Sequence, residues 1–185
     1  DRGLVGTVDG HYEFNADFNR LHAFARELAH HLHRQRLEAV APKGTILWED
    51  YDEFLAQAET EIDAEAFHET GLARFAGFDL QFLLTGHRYY VYSEDIDAVS
   101  PAELCCHTLL IDDGSHHYSY CLLLLSHIDV DEEDLRAQAV KYGLEDEIDA
   151  LLSYLKTHGE VDDDRLLEWD EFQELAADYE VPLPP

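Results

Sequence analysis

The chain carries 41 Asp and Glu against 12 Lys and Arg, a formal net charge of −29 on 185 residues. At low ionic strength that much like charge pushes a compact state apart, whereas in molar salt the Debye length falls to about 3 Å and the repulsion is screened. The charge therefore specifies the solvent, and the chain is expected to work in molar salt, in the cytoplasm of a salt-loving archaeon. Lysine agrees, since only Lys43, Lys141 and Lys156 occur while carboxylates run the whole length, which excludes a merely acidic tail. A disordered acidic protein is excluded because 46% of the residues are apolar and recur with helical or strand periods. No apolar run approaches the roughly 18 residues of a membrane span; the longest, Cys121 to Leu125, is far shorter. Cys105, Cys106 and Cys121 are odd in number and lack metal-ligand spacing, so buried thiols in a reducing compartment are expected. No signal-peptide pattern opens the chain, and the lack of any methionine leads us to expect a fragment whose residue 1 is not the natural start.

Periodicity and turn signals predict an α+β fold: a β-hairpin and a long amphipathic helix at the N-terminus, a small mixed α/β body, and a C-terminal helical unit. Residues 3–14 read as two short β-prone runs around Asp9-Gly10. Asn15 or Asp17 can cap a helix carrying Leu21, Phe24, Ala25, Leu28 and Leu32 on one face, closed by Pro42 and Gly44. Thr45 to Trp48 and Phe54 to Ala58 suit strands, and a short helix is expected around Glu65 to Phe75, ending at Gly77. Phe78 to Leu84 and Arg88 to Ser93 then read as a hairpin across Thr85-Gly86-His87. Ser100-Pro101-Ala102-Glu103 is a capping box with proline at the first helical position. Tyr118 to Ile128 reads as a buried helix with a strand as the alternative. Asp131 caps Glu132 to Tyr142 before Gly143, Leu144 to His158 follows before Gly159, and Trp169 to Tyr179 makes a last helix. The domain boundaries that follow are 1–16 for the hairpin, 17–43 for a linking or dimerising helix, 44–98 for the body and 99–185 for the helical unit.

Arg2-Gly3-Leu4-Val5 followed by Asp9-Gly10-His11-Tyr12-Glu13-Phe14-Asn15 resembles the close of a winged helix-turn-helix domain, a recognition helix ending in Gly-Leu-Val and then the two-stranded wing. That resemblance covers about 15 residues and implies DNA binding in the major groove with the wing on the backbone; an unrelated hairpin is the alternative. The helix that follows is locally basic. Arg20, Arg26, Arg34, Arg36 and Lys43 face only Glu27 and Glu38. On a helical wheel His22, Arg26, His30 and His33 fall opposite Leu21, Leu28 and Leu32, with Arg34 beside them. Such a face suits phosphate, an acidic partner or a sister subunit; equally, acids are absent from a helix that packs against another subunit. DNA or partner contacts are therefore expected at Arg2, His11, Arg20, Arg26, Arg34 and Arg36.

Catalytic patterns are weaker. Gly114-Ser115 followed by Asp129-Val130-Asp131 resembles the nucleotidyltransferase pattern, which implies a triphosphate grip and two magnesium-binding aspartates. Asp113 before the glycine and Glu132-Glu133 after the pair depart from it, and a turn followed by a helix cap explains the same residues. His30 and His33 are one turn apart but lack the further ligands of a metal site. The adjacent Cys105 and Cys106, with His107 beside them, suit a helix core better than a thiol nucleophile. No cofactor and no metal is expected.

The stretch from Thr45 to Gly159 resembles the C-terminal part of archaeal winged-helix proteins of the abortive-infection antitoxin type. The residues that carry it are Phe67-His68-Glu69-Thr70-Gly71-Leu72, Leu83-Leu84-Thr85-Gly86 with Tyr89-Tyr90, and Ser100-Pro101 with Glu103-Leu104. It implies a DNA-binding head joined to an α+β body that accompanies a partner, and no chemistry of its own. The expectation is a non-catalytic regulator or antitoxin-like DNA-associated protein of a halophilic archaeon, dimeric and away from membranes. The alternatives are an adaptor that binds a toxin or other protein, and a metal-dependent nucleotidyltransferase-like enzyme.

Overall fold

A computed structural model describes residues 5–8, 11–14, 19–83 and 86–183, with the backbone alone for 5–8, 11–14 and 19. Strands β1 (Val5–Val8) and β2 (His11–Phe14) pair antiparallel from Val5 opposite Phe14 to Val8 opposite His11, the hairpin that the two β-prone runs predict. Helix α1 spans Asn19–Val40; the expected caps Asn15 and Asp17 lie outside the described residues. Strands β3 (Thr45–Glu49), β4 (Phe54–Ala58), β5 (Phe67–Thr70) and β6 (Arg88–Tyr92) form one antiparallel sheet in the order β3-β4-β6-β5. A bulge at Leu47 shifts the β3–β4 register between Ile46 and Trp48.

The sheet is the middle of three layers. Alternate side chains of a strand point to opposite faces, and β4 and β6 are apolar on both. Phe54, Ala56, Tyr90 and Tyr92 meet Leu37 of α1 and Ala41 just after it on one face, whereas Val91 joins the core of the helical unit on the other. That unit comprises α2 (Pro101–Ile111), α3 (Ser115–His127), α4 (Glu132–Tyr142), α5 (Glu145–Thr157) and α6 (Trp169–Asp178). Its core takes in Phe75, Leu80 and Val91 as well as residues from every one of these helices. The expected boundary at 98/99 therefore runs through a single apolar core.

Start and stop signals place the C-terminal helices as expected. Ser100 Oγ accepts from the Glu103 amide at 3.2 Å while Glu103 Oε2 accepts from the Ser100 amide at 2.9 Å, with Pro101 in the first turn. Asp131 accepts from the Glu133 amide at 2.8 Å, and Gly143 ends α4 in the left-handed region at φ 69°.

Two expectations between 65 and 93 fail. Residues 67–70 form the edge strand β5, with Phe67 opposite Tyr92 and Thr70 opposite Tyr89, in place of a helix over 65–75. A 3-10 segment, Gly71–Phe78, follows it. Gly71 makes the junction at φ 63°, and a Cβ there would come within 2.8 Å of Ile111 Cδ1, so both the backbone and the space require glycine. The run after Phe78 is not a strand over its described residues, and β6 pairs instead with β4 and β5. With both edges of β6 occupied, Leu80 and Phe82 turn into the helical core, where Phe82 meets Phe75, Tyr120 and Tyr179.

Candidate functional site

The N-terminal helix carries most of the residues expected to bind, and it lies on the sheet in the opposite sense to its hydrophobic pattern. His33 is fully buried and packs on the Phe54 ring with centroids 4.8 Å apart. His33 Nδ1 lies 3.2 Å from Glu49 Oε2, and His30 Nδ1 lies 2.6 Å from Glu49 Oε1, so one carboxylate of β3 bridges two turns of helix. One turn from the helix start, His22 Nε2 and the Tyr51 hydroxyl are 2.6 Å apart. Leu37 and Ala41 complete the buried face. Leu21, Phe24, Leu28 and Leu32 all point away from the body and are exposed.

This geometry corrects the expected use of the histidine face. A polar face can dock on a sheet when the polar atoms that lose water find partners, and Glu49 and Tyr51 supply them for three ring nitrogens, His30 Nδ1, His33 Nδ1 and His22 Nε2. On this face, His33 Nε2 is buried without a hydrogen bond among the described residues.

The expected contact residues separate into three groups. Arg34 pairs with Glu38 on its own helix at 3.3 Å, and Arg36 stands 4.9 Å above the Tyr92 ring and 3.7 Å from Glu94. Lys43 reaches Glu59 at 3.1 Å. Arg20 and Arg26 are exposed, and neither forms an ion pair among the described residues. Arg2 and the side chain of His11 lie outside the described residues, although the backbone of His11 sits in β2 opposite Val8. A surface groove of about 330 Å³ beside His30, Arg34, Leu37 and Glu38 reaches the turn at Pro42 and Gly44.

A second polar constellation, which no sequence motif announces, crosses the interior between the sheet and the helical unit. Tyr142 donates its hydroxyl to Glu53 Oε1 at 2.6 Å, and Lys141 Nζ donates to Glu53 Oε2 at 2.7 Å. The Tyr142 oxygen then accepts from His107 Nε2 at 2.8 Å, which leaves Nδ1 to accept from the Thr70 hydroxyl at 2.9 Å. Burial holds the His107 imidazole neutral, its pKa pushed down to about 3, with the Lys141 charge adding to the effect. Burial, and then the bond to Glu53, push the Tyr142 phenol up. The surface cavities beside α1 and beside Glu94 reach none of these residues. The relay therefore fastens layers together, with the Thr70 and Tyr142 hydroxyls and the His107 ring N–H each donating to an acceptor. Its one sequence signal is His107 inside a largely apolar helix.

The nucleotidyltransferase pattern does not assemble. Gly114 and Ser115 open α3, and Asp129 and Asp131 follow its far end. A helix of 13 residues separates them by about 20 Å, and Asp131 is occupied as the cap of α4. The three cysteines are buried, free and embedded in the helical core, and burial pushes the Cys106 thiol up, away from a reactive thiolate. Among the described residues no cluster of three His, Cys, Asp or Glu is placed to hold a metal ion, and no helix is long and apolar enough to cross a membrane.

Comparison with known proteins gives a match between residues 64–181 and the family described as HVO_2833_C, C-terminal. The match starts just before β5 and ends past α6, so it covers the far half of the sheet and the whole helical unit and leaves out β1, β2, α1, β3 and β4. No curated protein and no solved structure matches the chain.

Proposed function

The chain belongs to the family described as HVO_2833_C, C-terminal, and we propose that it serves as a non-catalytic, DNA-associated regulator of a halophilic cell, antitoxin-like in organisation. In this reading the family body follows a DNA-contacting head whose last parts are the β1–β2 hairpin and α1. The observation that carries it is the order of hairpin and then basic helix, joined to a body whose polar interior is committed to holding itself together. Arg20 and Arg26, exposed on α1, are the residues left to meet phosphate, with Arg2 and His11 of the hairpin segment beside them in sequence. Arg34 and Arg36 contribute after exchanging their carboxylate partners.

In molar salt, counterion release gives little affinity, so such a protein depends on shape and direct contacts. The test is binding of the full-length gene product to DNA of its own promoter region in about 2 M KCl, a concentration at which non-specific phosphate attraction is lost. Saturable, sequence-dependent binding is expected, and replacing Arg26 and Arg34 together by glutamate should weaken it at least about tenfold on all sequences alike. Absence of binding by folded protein, or indifference to both substitutions, overturns the assignment of α1.

A second reading has one specific observation in its favour. Arg34, Arg36 and Lys43 are already paired with the protein's own carboxylates, which suits an adaptor that binds another protein and never meets DNA. The same DNA titration decides between the two.

A further inference from the structure

Four large apolar side chains lie along one side of α1 and, among the described residues, join neither apolar core. Leu21 is 56% exposed, Phe24 62%, Leu28 45% and Leu32 40%. Scattered surface leucines are ordinary, whereas a continuous apolar stripe on a helix marks a contact. Residues 21, 25, 28 and 32 are spaced by four, three and four, the seam spacing of paired helices. The helix has another apolar edge at Leu37, continued by Ala41 just past its end, and that one already lies on the sheet.

We propose that this stripe closes, antiparallel, on the same stripe of a second copy of the chain. The spacing reads identically from either end: Leu21 would meet Leu32 of the other copy, and Ala25 would meet Leu28. A two-fold interface requires a patch that is complementary to itself, and the palindromic spacing supplies one. Charge points to the same occupant. Two chains that each carry −29 come into direct contact at least cost where no carboxylates oppose one another within the short screening length, and the seam meets that condition. Phe24, Ala29 and His31 flank it, and the nearest acid in sequence, Glu27, is turned about 100° from Leu28. The docked face of α1, with its histidines on Glu49 and Tyr51, lies away from the seam, so pairing leaves the body contacts intact. A 22-residue helix is about 33 Å long, so the contact is smaller than a standard stable interface and the dimer is expected at about micromolar concentration. The inference does not depend on DNA binding.

The test is analytical ultracentrifugation of the chain in about 2 M KCl over about 1 to 200 µM, with wild type beside a Leu21→Ser, Leu28→Ser double variant. Wild type should show a monomer–dimer equilibrium, and the double variant should raise the dissociation constant about a hundredfold or more while its circular dichroism and melting as a monomer match wild type. Register is read by mixing a Leu21→Cys chain with a Leu32→Cys chain under mild oxidation, since the native cysteines are buried. The mixed disulfide should form ahead of either homodimer. A wild-type monomer at 200 µM, a dimer indifferent to the serine substitutions, or faster crosslinking of the Leu21→Cys chain to a second copy of itself would each overturn the proposal.

Discussion

Helices α1 and α2 lie on opposite faces of the same sheet and are held there by opposite chemistry. Every residue of α2 from Ala102 to Leu109 is buried, and its N-terminal end is fixed by its own cap. In contrast, α1 buries only His33 and Leu37 among its described side chains and is fixed by one carboxylate of β3 and a phenol of the loop after it. An apolar helix can dock wherever volume fits, and its stability follows the area removed from water. A helix docked through histidines depends on partners for their ring nitrogens, and it leaves its leucines for another use. The direction of an amphipathic face therefore does not by itself give the direction of the core.

The comparison is broken most severely by removing the salt. Lowering KCl from about 2 M to 0.1 M lengthens the Debye length from a few Å to about 10 Å and restores repulsion across the acidic body. The contacts of α1 and of the turn after it gain instead, because Arg36 and Lys43 reach carboxylates of the body, Glu94 and Glu59. A thermal midpoint lower by about 10 °C or more is expected at low salt, measured by calorimetry. A midpoint that does not change would mean that the charge is spread widely enough to be harmless.

Next in size is the buried relay on the α2 side. Glu53→Ala removes the acceptor shared by Tyr142 and Lys141 and strands both. Lys141 is partly in solvent, so the cost falls below that of a fully buried pair, at about 2–4 kcal/mol. The Glu49→Ala substitution on the α1 side, where His30 is half exposed, should cost about 1–2 kcal/mol. Urea unfolding of both variants in high salt gives the ratio directly, and equal losses would remove the distinction between the two interfaces.

What is legible in the sequence follows the range of the interaction. The helical ends at Ser100, Asp131 and Gly143 are specified by residues within four positions, and all can be read locally. The relay joins Glu53 to Tyr142 across 89 positions, and Glu53 belongs to an acidic run with Asp50 and Asp52 that reads as one solvated turn. With 41 acids in the chain, nothing local marks the one that is buried. Residues 67–78 mislead for a related reason. Phe67, Leu72 and Phe75 suggest a helix, yet the tight approach of Gly71 to Ile111, set by tertiary packing, divides the segment into strand and 3-10 turn. The basic helix is legible and its orientation is not, because Glu49 and Tyr51 lie beyond the loop and give no periodic signal.

A smaller effect comes from pH. His107 is held near pKa 3 in the folded chain against about 6.5 when unfolded. Between those values the unfolded chain takes up a proton that the folded chain refuses, so stability is complete above pH 6.5 and declines as pH falls, by at most about 1.4 kcal/mol per pH unit. Carboxylate protonation acts oppositely below about pH 5 by relieving repulsion, which leaves about pH 5 to 6.5 as the window. His107→Gln should be less stable overall but should have a flatter slope there by urea titration. An unchanged slope would place the proton elsewhere.

The smallest expected change is that of Leu28→Ala, set against Leu37→Ala on the other edge of α1. Leu37 is buried against the sheet, and Leu37→Ala should cost about 2–4 kcal/mol, the transfer term plus the cavity left under the helix. Leu28→Ala removes the same atoms from a surface position, and alanine slightly favours helix, so the change should stay within about 0.5 kcal/mol. The measurement has to be made well below micromolar protein, because a partner that binds only the folded chain adds stability by mass action. Repeating it at about 200 µM then isolates what the leucine stripe is for. If Leu28→Ala stays silent in dilute solution and becomes costly when concentrated, the outward leucines serve association; if it is costly even when dilute, the stripe is covered by the chain's own N-terminal segment and α1 is a core helix on both edges.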